Sequence, residues 1–403
     1  MIKQIETNQL RLRGEIARMI AEVPLYAGRD LPGEDLAAWL LTQPLIGKRE
    51  LRRGFPKSLL RAGQDLNSSM EDGTITLLAT SGTTSDRLQV IWEWTWWDPQ
   101  EREAMRLNAR VAEAMLRPGY HEAVLTTPAC GAGACHLGDQ SMQERTIDGM
   151  LFFNQSPDPS YWSERESARM IEEWNTFAPV GIEADPAYLA MLCRAARQQQ
   201  RTLSSPAFIT LTYETTTRAM RQEISRTLDA PVYQLYGATE AGVLFMECEK
   251  GMLHMNAQHA HIELLPVGEG LARVVVTTLG REWMPLLRYD IGDIVRVANI
   301  AECACGRPAN GALVQRMEGR ASDCVARGNE LITPLMLDDA MMERAPQMFQ
   351  WQLSGDTLSV VGPGARDAAV AASELLGRAV RGETVAAIAP EASGKYRLVR
   401  NAS

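Results

Sequence analysis

Between Phe177 and Tyr236 the chain alternates short apolar runs with amphipathic stretches, and this alternation constrains the fold more than any other feature. FAPVGI is followed by Asp185-Pro186 opening PAYLAMLCRAARQQQ, then by AFITL, TTTRAMRQEISRTLDA and PVYQLY. An aspartate at the cap and a proline at the first helical position mark a helix start. Strand, helix, strand, helix, strand predicts parallel pairing with the helices covering the sheet. Ligands of such sheets bind at the carboxyl ends of the strands, so the residues just past each apolar run are the ones to read for chemistry.

Length and composition set the outer limits. At 403 residues the chain exceeds one ordinary domain. With 45% hydrophobic and 23% charged residues it is globular in character. A net charge of -9 argues against nucleic-acid or anionic-membrane partners, which draw on clustered Lys and Arg. The opening MIKQIETNQLRLRGEIARMI alternates charged and apolar residues and predicts an amphipathic helix rather than an export signal, and no membrane-spanning run is evident. Seven cysteines then favour reduced thiols or metal ligands over disulfides and a cytoplasmic setting. Asp98, Pro99 and Glu101 read as N-cap, N1 and N3 of a further helix. Past Gly319, QMFQWQLSGDTLSVVG predicts a hairpin, ARDAAVAASELLGRAV a helix and TVAAIA a last strand. The expected class is α/β. Residues 1–320 form a large domain with mixed and parallel sheets, covering helices and a zinc-binding insertion at 248–305; residues 321–403 form a small mobile α+β domain.

Three segments carry chemistry. ITLLATSGTTSDRLQVIWEW holds a hydroxyl-rich turn between two strands, with Leu88, Val90, Trp92 and Trp94 on one strand face. Ser81, Thr83 and Thr84 supply hydroxyls and Gly82 permits close backbone approach, a combination suited to a triphosphate. A polar hairpin turn is the plainer reading, and the segment is no GxxxxGK[ST] loop. VYQLYGATEAG ends a strand with Tyr236, Gly237, Thr239 and Glu240. There Tyr236 could stack on a base, Gly237 could admit an acyl group against the main chain, and Glu240 could hold Mg²⁺. A solvated glutamate at a strand end is the alternative. Finally, Cys248 and His254 in MECEKGMLH, with Cys303 and Cys305 in ECACGRP, make a three-sulfur, one-nitrogen set for a closed structural Zn²⁺ site, against buried free thiols. His259 and His261 are spare ligands; Cys130 and Cys135 lack CxxC spacing and read as ordinary small residues.

These segments, with MPLLRYDIGDIVRV, MEGRASDCVARGNE and a Gly-Lys near the C-terminus following in order, resemble the adenylate-forming superfamily of acyl-CoA synthetases, and within it the phenylacetate-CoA ligase branch. The likeness covers roughly residues 75 to 400. It implies that Ser81, Gly82, Thr83 and Thr84 wrap the ATP phosphates, Thr239 meets the α-phosphate, Glu240 binds magnesium and Tyr236 faces the adenine. Asp293 would accept from the ribose hydroxyls, Arg320 would bind the ribose or phosphate side, and Lys395 would bridge carboxylate and α-phosphate. Some members of that branch carry a similar cysteine and histidine set.

The implied reaction is activation of a carboxylic acid, of aromatic or arylacetic type, as acyl-AMP with release of pyrophosphate, followed by transfer to the thiol of coenzyme A. Transfer to a carrier-protein thiol or an amine is the alternative, and a catalytically silent nucleotide-binding scaffold a third reading, opposed by the joint presence of Glu240, Asp293, Arg320 and Lys395. Tyr213–Thr217 and Tyr236–Ala238 would wall the acid pocket. The sequence departs from the family in TTSDR, which lacks the usual glycine and lysine, in YETTT, which lacks a glycine pair, and in a shortened C-terminal unit expected to rotate near Ser322 and Asp323. A homodimer is the default expectation for assembly.

Overall fold

The computed structural model describes residues 2–80, 87–128, 140–156, 158–300, 302–307 and 312–400. The predicted alternation forms the parallel half of a twelve-stranded mixed sheet: Glu122–Leu125, Gly181–Ala184, Phe208–Leu211 and Val232–Ala238 run parallel in that spatial order. Asp185 caps the helix Pro186–Gln198 by accepting from the amides of Ala187 and Tyr188, as its sequence predicts. That helix and Glu164–Phe177 bury one sheet face, where Ile182, Trp174, Leu189 and Leu192 are fully enclosed. The opposite face carries the helices Trp94–Met105 and Ala109–Met115, packed through Ala104, Val111, Phe208 and Leu235.

At Val232–Ala238 the sheet changes character, because the next strand, Gly242–Glu247, pairs with it antiparallel. The antiparallel half continues through Leu253–Met255, Val314–Arg320, Tyr289–Val297, Leu271–Thr278 and Ala260–Gly268. The stretch 248–305, expected as an insertion, is therefore no appendage: it supplies four of these strands. Its alternating apolar residues pack against the amphipathic helix Ile2–Glu22, whose Leu12, Ile16 and Met19 are buried in the same cluster as Val274, Val276 and Leu287.

Two boundaries differ from expectation. The helix read as starting at Asp98 starts at Trp94, one turn earlier, with Pro99 inside it. Trp94 is thus helical rather than part of the strand face. Proline there forfeits a backbone bond, but Trp96 is buried, donates from Nε1 to Leu279 O at 3.0 Å and lies under the Arg281 guanidinium, 4.9 Å from the ring centroid. These tertiary contacts set the helix start. Near the C-terminus the hairpin Gln350–Ser354 and Thr357–Val361 and the helix Ala365–Leu376 form as read, whereas the last of the predicted strands is Arg381–Val385, which starts before TVAAIA and takes in only its Thr384 and Val385. With Val399–Arg400 these make a separate four-stranded sheet, covered also by the helix Pro334–Arg344. No described helix is long and apolar enough to cross a membrane.

Candidate active site

The change from parallel to antiparallel pairing opens a cavity of about 710 Å³ beside the carboxyl end of Val232–Ala238. Tyr236, Gly237, Thr239, Glu240, Asp293, Arg320 and Lys395 all line it, so the structure brings together seven of the residues singled out in the sequence. Ser81, Gly82, Thr83 and Thr84 lie outside the described residues. Of the residues on either side of them, Thr80 lines the cavity, its N donating to Leu88 O at 2.8 Å and its Oγ1 accepting from Leu88 N at 2.9 Å. Cys130 and Cys135 are likewise undescribed.

Gly237 is fixed by its neighbour strand. A Cβ there would stand 2.5 Å from Gly242 O and 2.9 Å from Val243 Cα, so only glycine permits the pairing that turns Thr239 and Glu240 toward the cavity. Glu240 is buried; its Oε1 accepts from Tyr289 OH at 2.6 Å, and the guanidinium of buried Arg281 bonds its main-chain oxygen. Burial pushes the Arg281 guanidinium down to about 10, partly offset by Glu93 and Glu240. Neither Tyr289 nor Arg281 was anticipated as part of this site, although Tyr289 sits beside Asp293 in RYDIGD.

Asp293 and Arg320 pair across adjacent strands. Tyr236 OH donates to Asp293 Oδ2 at 2.6 Å, so the tyrosine is joined to the aspartate through its edge while its ring lines the cavity. Burial raises the Asp293 carboxyl, and Arg320 opposes that rise.

Lys395 reaches the cavity from a tight turn in which Gly394 N donates to Glu391 O at 2.7 Å and Glu391 N to Lys395 O at 2.8 Å. The turn is clamped on the large sheet. Tyr188 OH donates to Gly394 O at 3.0 Å, Tyr396 N to Glu214 Oε2 at 2.6 Å, and Lys395 Nζ to Tyr213 O at 2.7 Å. Two residues on, Arg397 donates from Nη2 to Asp323 Oδ1 at 2.7 Å and from Nε at 3.0 Å. Tyr213 itself has φ of 73°, a strained conformation for a bulky residue, which aims its carbonyl at the lysine. Burial lowers the Lys395 ammonium from the ordinary lysine value, as does Arg320, while Asp185 and Glu214 oppose the fall. Asp185, read from sequence only as a helix cap, has a second role here. Its Oδ2 and Glu214 Oε1 are both buried with no hydrogen-bond partner. Burial pushes the Asp185 carboxyl up to about 6 and raises Glu214, which the neighbouring Asp185 charge raises further.

A second cluster lies in the antiparallel half of the sheet, around the strands Gly242–Glu247 and Leu253–Met255. One ligand atom from each of Cys248, His254, Cys303 and Cys305 falls within 4.8 Å of every other. Cys248 Sγ is 3.7 Å from Cys303 Sγ, and Cys305 Sγ is 3.4 Å from His254 Nε2. The amides of Lys250 and Arg307 donate to Cys248 Sγ and Cys305 Sγ at 3.4 and 3.5 Å. His259 and His261, the spare ligands, are outside this cluster.

No family model matches the chain. Among curated proteins it is similar to the phenylacetate-coenzyme A ligase of Thermus thermophilus, 33% identical over an alignment 324 residues long that covers 74% of this chain and 66% of that protein. It is also similar to Protein CapK of Staphylococcus aureus, 26% identical over 191 residues, or 47% of this chain and 42% of that one. The alignments therefore span less than two thirds of either relative. Among solved structures, 2-hydroxyisobutyryl-CoA ligase in its postadenylation state with 2-HIB-AMP superposes with a TM-score of 0.72 at 16% identity, covering 100% of this chain and 90% of that one. The same ligase in its thioesterification state gives 0.58 at 18% identity, with the same coverage, so the fold overlays better on the postadenylation arrangement. Ordered motifs, sheet architecture and relatives agree: the chain belongs to the adenylate-forming superfamily of acyl-CoA synthetases.

Proposed function

We propose that this protein activates a carboxylic acid with ATP, forming acyl-AMP and pyrophosphate, and then passes the acyl group to the thiol of coenzyme A. The observation that carries the reading is Lys395 standing in the same cavity as Thr239, Glu240, Asp293 and Arg320. A carboxylate that attacks an α-phosphate brings like charges together, and at about 4 Å each unit pair repels by roughly 4 kcal/mol at an effective dielectric near 20. Lys395 offsets that repulsion from the acid side, where Tyr213 O and the Asp185–Glu214 pair hold it. Glu240, oriented by Tyr289, would hold Mg²⁺, whose chemistry is to neutralise the phosphate oxygens. Asp293 would accept from the ribose hydroxyls, Arg320 would meet the ribose or phosphate side, and Tyr236 would face the adenine. Residues 1–320 act as the large domain and 321–403 as the mobile one, with Asp323 at the hinge holding Arg397. Coenzyme A is favoured over a carrier-protein thiol as acceptor because the relative with the greater coverage is a coenzyme A ligase. Lys395→Ala should abolish acid-dependent ATP–pyrophosphate exchange while ATP binding persists; unchanged exchange would refute the role of the lysine.

The cysteine and histidine cluster is best read as a structural zinc site. For Zn–S near 2.3 Å and Zn–N near 2.05 Å, a tetrahedron has S–S edges of about 3.8 Å and S–N edges of about 3.6 Å, close to the 3.7 and 3.4 Å found. Four protein ligands leave no open position, and the two amide donors to sulfur are the second-shell contacts that thiolates require.

A further inference from the structure

The cavity continues past Tyr213, away from the nucleotide-binding residues, to a wall made by Trp92, Trp94, Trp97, Glu101 and Glu183. Trp92 and Trp97 lie 3.7 Å apart between ring centroids, and Trp94 meets Trp92 edge-on at 5.8 Å. Trp94 remains 47% exposed, unusual for so large an apolar side chain. Glu101 follows Trp97 by one helical turn and faces Glu183 on the sheet, with Glu122 behind. Tyr213 joins the two ends of the cavity, its carbonyl taking Lys395 and its hydroxyl bonding Glu183.

Three acidic groups thus share one partly buried site, and among the described residues none of them is ion-paired with a Lys, Arg or His. Burial, with repulsion from Glu183, pushes Glu101 and Glu122 up to about 8, and burial raises Glu183 as well, opposed by the Tyr213 hydroxyl. Tyr213 OH and Tyr120 OH donate to Glu183 Oε1 and Glu122 Oε1, which satisfies one oxygen of each but supplies no neutralising charge. An ammonium group seated beside the tryptophan faces would draw these carboxyls back to their ionised form, gaining from their negative charge as well as from the ring quadrupoles.

On the adenylation reading above, we propose that the acid this protein activates carries a cationic amino group, seated between Glu101 and Glu183 against Trp92, Trp94 and Trp97. Its carboxylate lies at Lys395, so the amine stands at the far end of the acid, separated from the carboxylate by the length of Tyr213. This excludes an α-amino group and points to an amino group on a ring or at the end of a chain. It also refines the aromatic or arylacetic class expected from sequence: tryptophan faces suit an aryl spacer, but the specificity resides in the amine.

The test uses matched pairs, 4-(aminomethyl)benzoic acid with 4-methylbenzoic acid and 6-aminohexanoic acid with hexanoic acid, in ATP–pyrophosphate exchange with the full chain. Tryptophan fluorescence titration with the same four acids provides a readout independent of turnover. The amine-bearing member of at least one pair should have a kcat/KM about 10-fold or more above its partner, and should change the tryptophan emission. Glu101→Gln with Glu183→Gln should lower kcat/KM for that amine about 10-fold and narrow the ratio between partners, with thermal melting confirming the fold. An uncharged member exchanging as well as its amine partner, or a ratio untouched by the double substitution, overturns the amine proposal and leaves adenylation standing. If none of the four acids supports exchange or alters the emission, the amine proposal is overturned, while the Lys395→Ala test with other acids judges adenylation separately.

Discussion

Gly394→Ala tests how the lysine is delivered. Gly394 has φ of 80°, and a Cβ built there would stand 2.5 Å from Thr127 Cβ and 2.8 Å from Tyr188 OH. Placing alanine in a left-handed conformation costs roughly 1–2 kcal/mol, and overpacking against a fixed wall adds about 1–3 kcal/mol. The docked position of the 391–395 turn is then disfavoured by about 2–5 kcal/mol, a population shift of roughly 30-fold or more at 1.4 kcal/mol per decade. The small sheet has its own core in Leu353, Leu358, Val360, Ala368 and Ala372, remote from this turn, so folding should survive. Acid-dependent pyrophosphate exchange in Gly394→Ala should accordingly fall about 30-fold or more, with a melting temperature close to that of the parent. A variant that exchanges pyrophosphate at the parental rate would refute the argument that the lysine acts only from the clamped turn.

Tyr289→Phe removes the hydroxyl that orients Glu240 and should raise the half-saturating Mg²⁺ concentration of exchange by roughly 10- to 100-fold; an unchanged Mg²⁺ curve would remove Tyr289 from the site. The bridging role of Lys395 needs its ammonium form, and burial lowers its pKa, so exchange should decline on the alkaline side at a pH below the ordinary lysine range. Asp185→Asn keeps the helix cap but removes a carboxylate that opposes this lowering, so it should move the alkaline limb to still lower pH; a limb that moves up or stays contradicts the electrostatic account. Purified protein should contain about one zinc per chain, and Cys303→Ser should lose both the metal and thermal stability; full zinc in that variant would dismiss the site.

The sequence reveals most where a function is confined to a few adjacent residues. Asp185-Pro186 declares its helix because cap and first turn are local, and the GATE segment declares the strand end because the change in pairing follows it at once. The Cys248, His254, Cys303 and Cys305 cluster is also readable, since Cys and His are few and chemically distinctive, whereas the weaving of 248–305 into the main sheet is not. What stayed hidden depends on tertiary contact. The helix at Trp94 starts early because Trp96 and Arg281 pack together, which no local pattern encodes. Glu101 and Glu183 read as ordinary helix and strand acids until the fold sets them face to face. Asp185 and Glu214 meet only because successive strand ends lie side by side, and Tyr289 reaches Glu240 only because the antiparallel half folds back over the switch point.

The central claim is that the oxygen of the acid attacks the α-phosphate, forming a carboxyl–phosphate bond as the bond to pyrophosphate breaks. Subsequent attack of coenzyme A thiol on the carbonyl carbon releases AMP, which keeps one oxygen of the original carboxylate. The direct measurement is mass spectrometry of AMP produced from an acid labelled with ¹⁸O in its carboxylate, in the presence of coenzyme A. The account predicts AMP that carries a single ¹⁸O. Unlabelled AMP, or ADP with the label in inorganic phosphate, would contradict it.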